Sequence, residues 1–342
     1  MSENNAPVEV YNIVDIIPAK LLASKLGVTE RVVNFWKHRE RGISEQNQRK
    51  ILKLKDLAKR VENGSYESYS TKGLGIQLNV IKFDLPLKTR YQDIAFIGDV
   101  HDGYPTHNRE LYLKSLRYCS QFKIPIIFMG DINEYGMPNS PGTSKFTQDP
   151  VNDQIKQTKE DLKPLVDAGL VKGWINGNHE SRIMNITGVD ISELICDSLK
   201  IPYLRDACWN AVRVGGQWYS VYTIHGSSGA IYTETKLGYY MKMSNNFDCD
   251  LLVGAHVHEL ANTEKRIQSI DFGRLKVVEK VKSIAITGSY IEYSGSYGMK
   301  KGWAIPQLGS CKARFYTDEH KITIHNLFAG KESKPTEWKE EK

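Results

Sequence analysis

The sequence has no long run of uncharged apolar residues. Its longest such stretches, typified by 124-IPIIFMG-130, fall far short of the roughly 18–20 residues that span a bilayer, so no membrane helix is expected. Cysteine is sparse and badly placed for cross-linking. Cys119, Cys196, Cys208, Cys249 and Cys311 are odd in number, widely spaced and never in a Cys-x-x-Cys pair. That excludes a disulfide framework and a thiolate zinc site, and the five read as reduced core residues. Basic residues are missing from the first ten positions, MSENNAPVEV, which is the wrong chemistry for a secretory or mitochondrial leader; a cytoplasmic location is expected. No solenoid repeat is visible, and 40% hydrophobic with 25% charged residues argues against disorder, a collagen-like repeat or a coiled-coil rod.

What is present is enough chain, 342 residues, for one large or two domains. Its charge is uneven. Residues 1–60 hold 12 of the 46 Lys+Arg and 7 of the 40 Asp+Glu, so 12 − 7 = +5 of the chain's net +6 is N-terminal, which on charge alone suits either a polyanion such as DNA or a solvated helical face. In 20-KLLASKLGVTERVVNFWKHR-39 the apolar residues Leu22, Ala23, Leu26, Val28, Val32, Val33 and Trp36 suit two short amphipathic helices turning at Gly27. Thr29 stands where its hydroxyl can cap the second helix, with Glu30 in the first turn. A further helix is expected within 43–61, carrying Ile51, Leu54, Leu57 and Val61 on one stripe. The spacing of Ala23, Gly27 and Val33 resembles the helix-turn-helix of phage-repressor-like regulators. That resemblance implies that Glu30, Arg31, Asn34, Lys37 and His38 face a major groove while Arg39 and Arg41 touch phosphate. The competing reading of the same bundle is a surface that docks a protein partner. Residues 1–64 are expected to form this helical domain, 65–90 a linker and first edge strand, 91–330 the main domain and 331–342 a charged tail.

From residue 92 one local theme recurs: a β-rich apolar run, then glycine or histidine, then an acid, amide or histidine. It appears at 94-IAFIGDVHDG-103, 126-IIFMGDINEYG-136, 171-VKGWINGNHESR-182, 219-YSVYTIHGSSG-229 and 251-LLVGAHVHE-259. Buried strands ending in polar loops bring those loops together along one edge of a sheet. The residues delivered are Asp99, His101, Asp131, Asn178, His179, His225, His256 and His258, including five of the chain's nine histidines. Imidazole, carboxylate and amide oxygen without thiolate suit Mn²⁺, Fe²⁺ or Zn²⁺, so a metal centre is expected.

The ordered set GDVHDG, GDINEYG, GNHE, His225 and GAHVH resembles the calcineurin-like metallophosphoesterase superfamily over residues 92–260, with wording around GNHESRI most similar to phage- and prophage-encoded members. The resemblance implies an α/β fold in which a β-sandwich is flanked by helices, with two divalent metal ions at one edge, Mn²⁺ foremost. It assigns Asp99, His101, Asp131 and His258 to one metal and Asp131, Asn178, His225 and His256 to the other, Asp131 bridging. His179 would then lie outside the ligands as the catalytic general acid, and Arg182 would hold a phosphate oxygen. The implied activity is phosphate-ester hydrolysis by a metal-bridging hydroxide, read here as a phosphodiesterase or nuclease acting on DNA. The alternative is a phosphomonoesterase or a protein or nucleotide phosphatase with a docking N-terminal domain; a non-catalytic DNA-binding regulator is a third reading. In phosphoprotein phosphatases the second block resembles GDxVDRG; Glu134 and Tyr135 stand here instead of its Asp-Arg pair, which weighs against that class. Residues 135–153 read as a flap over the metals or a surface excursion. In 283–306, Tyr290, Tyr293, Tyr297 and Trp303 with Lys300 and Lys301 read as a surface able to stack bases, or as plain surface tyrosines.

Overall fold

The structure is a computed structural model; it describes residues 7–17, 19–38, 42–55, 77–86, 88–136, 150–273 and 275–327. Contacts divide the chain into two compact units, 1–67 and 68–342. Expectations for Arg39, Arg41, Leu57, Val61, residues 137–149 and the tail lie outside the described residues.

In the first unit, α1 (Val8–Ile16), α2 (Ala19–Leu26), α3 (Glu30–Lys37) and α4 (Glu45–Leu52) close around one small core. Val10, Ile13, Val14 and Ile17 meet Leu22, Leu26, Val33, Trp36, Ile43 and Ile51 there. Gly27 takes the left-handed conformation, φ +69°, that the turn between α2 and α3 needs. One expectation is corrected. Thr29 occupies the cap position of α3, but its side chain makes no cap hydrogen bond; its carbonyl accepts from Val32 and Val33 N–H at 3.0 and 3.3 Å instead. Of the expected 43–61 stripe, Ile51 enters this core and Leu54 packs against it.

The second unit is α/β: two facing sheets with helices on both outer faces. One sheet has the order β1 (Gln77–Phe83), β5 (Ala207–Val214), β6 (Gln217–Ile224), β7 (Leu251–Gly254), β9 (Lys276–Thr287), β8 (Leu260–Asp271). The other runs β11 (Ile322–Asn326), β10 (Cys311–Tyr316), β2 (Tyr91–Ile97), β3 (Ile126–Phe128), β4 (Val171–Trp174). Strand residues alternate between two cores, as the pleat demands. Along β2, Ile94 and Phe96 enter the inter-sheet core with Ile127, Val221, Val253 and Phe315, while Ala95 and Ile97 face the helical side. There they meet α5 (Arg109–Gln121), α6 (Val151–Asp167) and α8 (Ile191–Leu199) through Tyr112, Leu116, Leu162, Leu165 and Ile195. On the far face α9 (Thr233–Met243) covers Leu252 and Ile284 with Tyr240. All five cysteines are buried without disulfides. Among the described residues no helix is long and apolar enough to cross a membrane.

The five polar strand ends do not lie on the edge of a single sheet. β2, β3 and β4 are parallel neighbours in one sheet, and β6 and β7 are parallel neighbours in the other. Parallel strands end on the same side, so the five loops meet at one end of the two-layer stack.

Candidate metal centre

The loops after β2 and β3 continue the parallel ladder beyond the strands: Asp99, Val100, His101 and Asp102 donate to the carbonyls of Gly130, Asp131, Asp131 and Ile132 at 2.9–3.0 Å. The third loop approaches through two glycines. A Cβ on Gly130 would lie 2.7 Å from Gly177 Cα, and one on Gly177 would lie 2.2 Å from both Asp131 N and Asp131 Oδ1. α7 (Asn178–Thr187) then starts at Asn178, so His179 N–H points back at Asp131 Oδ1, 2.9 Å away. Two contacts close the end of the stack across the sheets: Asp99 Oδ2 accepts from His256 N–H at 2.8 Å, and the Met129 carbonyl accepts from His225 Nδ1 at 2.7 Å.

All seven side chains expected as ligands come together. His101 Nε2 and His258 Nε2 are 3.1 Å apart, with Asp99 Oδ1 3.4 Å from the latter. Asp131 Oδ2 is 3.2 Å from His225 Nε2 and 3.8 Å from His101 Nε2, so this one oxygen stands beside an imidazole of each group. Asn178 Oδ1 lies 3.1 Å from His225 Nε2 and 2.7 Å from His256 Nδ1. Asp99–His101–His258 and Asp131–His225–His256 each have ligand atoms close enough to hold a metal ion.

The donor set fits divalent cations on three further counts. Asp99 Oδ1 is fully buried yet makes no hydrogen bond; orphaned carboxylate oxygens are costly unless a cation meets them. Second, the imidazoles are held with Nε2 inward. His101 gives its Nδ1 proton to Glu134 Oε2 at 2.8 Å, which leaves its Nε2 as an acceptor, and His225 gives its Nδ1 proton to the Met129 carbonyl, which turns its Nε2 towards Asp131. Third, Asp99, His101, Asp131, His256 and His258 all sit at positive φ, 49–66°. Each costs of order 1–3 kcal/mol for a residue with a side chain, a strain that clusters at functional sites. The amide of Asn178 is satisfied by its neighbours when turned end for end: its nitrogen then donates to Asp131 Oδ2 at 2.9 Å and its oxygen accepts from Arg182 Nη2 at 3.0 Å.

Electrostatics follow from this packing. Burial drives the His101 imidazole down to about 3, aided by neighbouring His258. Burial also opposes charge on His225, but the Asp131 and Asp99 carboxylates outweigh it and lift His225 to about 10. Against the same burial, His225 and His179 hold Asp131 well below the usual carboxylate range. A cation entering beside Asp131 must therefore displace the His225 proton.

His179 is buried beside this cluster, its Nε2 3.9 Å from Asp131 Oδ2 and its Nδ1 2.7 Å from the Glu134 carbonyl. That short contact puts the proton on Nδ1, so the 3.4 Å approach of Arg182 Nη1 to the same nitrogen is proximity alone. Burial and His101 keep the His179 pKa below its ordinary value. Arg182 is half-buried and lines the cavity over the cluster.

Three buried residues escaped the sequence reasoning. Glu134 braces both His101 and His179, and with them forms a third close group; with both Nδ1 protons committed, hydrogen bonding explains it without a metal. Glu180 accepts from the N–H groups of Asp131, Ile132 and Gly177 at 3.0–3.1 Å, locking α7 to the second loop. Lys236 lines the cavity, its Nζ 3.2 Å from Glu259 Oε2. Glu134 and Glu180 were findable, since each lies within a quoted motif; Lys236 carries no local signal.

The DNA-facing expectations fall on α3. Glu30, Arg31, Asn34 and His38 are exposed, and the Arg31 guanidinium sits 5.6 Å from the centre of the Phe35 ring. Lys37 is half-buried, and its Nζ donates to the Asp15 carbonyl of α1 at 3.2 Å. In 283–306, Tyr290 is corrected from surface to core: it is fully buried and donates to Ser115 Oγ at 2.9 Å. Tyr293 and Trp303 line the cavity, and the side chain of Tyr297 lies outside the described residues.

No protein-family model matches the chain, and no curated protein matches it. Among solved structures it is similar to a predicted phosphoesterase from Streptococcus pneumoniae TIGR4, at 12% identity and TM-score 0.31 over 70% of this chain and 91% of that one. A hypothetical protein from Pyrococcus horikoshii OT3 aligns at 11% identity and TM-score 0.37 over 68% and 87%. Wild-type Vps29 of Entamoeba histolytica, solved with Zn²⁺, aligns at 12% identity and TM-score 0.30 over 69% and 100%.

Proposed function

We propose that this chain is a metal-dependent phosphoesterase, and that it acts as a phosphodiesterase on nucleic acid. The observation that carries the reading is the convergence of two adjacent groups of ligand atoms, with Asp131 Oδ2 3.2 Å from His225 Nε2 of one and 3.8 Å from His101 Nε2 of the other. Asp99, His101, Asp131 and His258 would hold one cation and Asp131, Asn178, His225 and His256 a second, with Mn²⁺ first and Fe²⁺ or Zn²⁺ also suited. When bound, such cations screen the negative phosphate oxygens and lower the pKa of an attacking water.

The chain's own residues supply the rest. Arg182 is placed to hold a phosphate oxygen through two parallel N–H bonds. His179 can hand a proton to the leaving oxygen from Nε2, with Nδ1 fixed on the Glu134 carbonyl. Burial opposes charging His179, and the negative charge of a phosphodiester alongside would offset that. For DNA, exposed Arg31, Asn34 and His38, with Lys37, Arg39 and Arg41, would bring the duplex to the enzyme and raise its effective concentration.

The purified chain with Mn²⁺ should hydrolyse bis(p-nitrophenyl) phosphate and DNA. Turnover of p-nitrophenyl phosphate alone would keep the phosphoesterase and remove the nuclease. No turnover of any ester by chain shown to hold its cations would end the enzyme reading.

A further inference from the structure

The cavity at the ligand cluster, about 310 Å³, is lined by two unlike sets of residues. One is the imidazole, carboxylate and amide set around Asp131. The other forms a wall of Tyr104, Ile291, Tyr293, Trp303 and Pro306, aromatic and aliphatic surface that phosphate chemistry does not call for.

The wall is also built to stay in place. Tyr104 lies three residues beyond His101, its N–H donating to the His101 carbonyl at 2.9 Å. A bridge between His107 and Ile291, with Glu292 N–H donating to the Thr106 carbonyl at 2.8 Å, ties the second segment to it. The short helix α10 (Tyr297–Lys301) is capped by Ser296, whose hydroxyl also donates to the Tyr293 carbonyl at 2.7 Å. Trp303 then folds back: its N–H donates to the Gly298 carbonyl at 3.0 Å, and its ring packs so closely that a Cβ at 298 would lie 3.2 Å from Cε3. Rings held this way lose little entropy when a flat ligand stacks on them.

We propose that the pocket recognises a nucleobase on this wall while the ligand cluster takes the attached phosphate. The substrates are then nucleotides, or the terminal nucleotide of a single strand. The proposal rests on the phosphoesterase reading above. Stacking of a base on Tyr or Trp is sequence-tolerant. The cavity volume sits at the low end for ligand sites, roughly 300–1,000 Å³, and leaves room beyond the phosphate for a sugar and a base. The lone phenyl ring of a phosphotyrosine would fill less of it.

The test is calorimetric titration of the full chain, supplied with Mn²⁺, with three phosphonates whose P–C bond resists hydrolysis: adenosine 5′-phosphonate, ribose 5-phosphonate and benzylphosphonate. The adenosine compound should bind about 5- to 100-fold more tightly than the ribose compound, the range that loss of one stacked base implies. Trp303→Ala should bring that ratio towards one, Trp303→Phe should preserve most of it, and Tyr293→Ala should lower it if the tryptophan variant does not fold. A single-stranded thymidine tetramer that displaces the adenosine compound marks a strand end as a source; binding of the adenosine compound without such displacement marks free nucleotides. Equal affinities, benzylphosphonate binding as tightly as the adenosine compound, or a ratio that neither alanine variant moves would overturn the proposal. Hydrolysis of p-nitrophenyl phosphate and of bis(p-nitrophenyl) phosphate in the same preparation separates the two ideas. Turnover without base preference sinks this inference alone, and base preference without turnover sinks the enzyme reading alone.

Discussion

Gly177→Ala isolates the close approach on which the metal centre depends. Gly177 has φ −105° and ψ 178°, extended backbone that alanine adopts freely, so the substitution brings no conformational strain. Its whole effect is space. The new methyl would lie 2.2 Å from both Asp131 N and Asp131 Oδ1, and 2.5 Å from Glu180 Oε2. Ordinary carbon contacts begin near 3.5 Å, so the third loop must withdraw from the second by about an ångström. Overpacking of this kind costs about 1–3 kcal/mol of stability. The larger effect falls on the centre, because the Asp131 carboxylate lies against ligand atoms of both groups, and a misplacement near 1 Å costs on the order of 10²-fold in rate. Gly188→Ala is the matched opposite. Its φ is +73° and nothing lies within 4 Å of a Cβ there, so it should lose about 1 kcal/mol to backbone strain and nothing in cation affinity. Calorimetric titration with Mn²⁺ or Zn²⁺, beside thermal melts of both variants, reads the two effects separately. If Gly177→Ala binds cations as the parent does, the approach of these loops does not set the site and the geometric account fails.

Glu134→Ala removes the carboxylate that fixes the His101 tautomer and should weaken cation binding about 10- to 100-fold, with Glu134→Gln closer to the parent; identical titrations for all three proteins would show that Glu134 does not orient the ring. His179→Ala should retain its cations and lose about 10²- to 10⁴-fold in turnover, and metal analysis showing cations lost in proportion would make His179 a ligand instead. Removing residues 1–64 should leave hydrolysis of a small ester intact and flatten the salt dependence of DNA binding; unchanged DNA affinity across salt would refute a role for the N-terminal helices. Asp93 should contribute to acid stability. It is buried against β10, its carboxylate accepting from Lys312 Nζ and Arg314 Nε, each at 2.8 Å. Burial raises its pKa, but those hydrogen bonds outweigh it and hold the carboxyl below its ordinary value. The ionised form therefore adds stability above the unfolded pKa near 3.9, and that contribution is lost as pH falls through the lower folded value. Asp93→Asn should cost about 3 kcal/mol at neutral pH and flatten the fall in melting temperature between roughly pH 5 and pH 2. An unchanged acid slope would show that Asp93 is not the group responsible.

How much of this was legible in sequence depended on how far apart the interacting residues lie along the chain. Ligand chemistry is local: Asp99-x-His101, Gly130-Asp131, Gly177-Asn178-His179-Glu180 and His256-x-His258 each announce themselves within a few residues, and all but the third hold a side chain at an awkward φ soon after a buried strand. The pairing of strands is not local. β7 pairs with β9 in parallel, while the long β8 reverses between them in sequence and becomes the sheet edge. No pattern within 251–287 says which of two neighbouring strands joins β7. That is why the five loops were expected on a single sheet and are found on two. The same limit hid Lys236, whose partner Glu259 is 23 residues away, and made Tyr290 look like surface when its hydroxyl reaches Ser115 on α5. The two-sheet arrangement in turn explains the cross-sheet bonds at the centre. His256 N–H to Asp99 and His225 Nδ1 to the Met129 carbonyl each join the two layers. Substitutions that let the layers slide apart should therefore loosen cation binding before they unfold the chain.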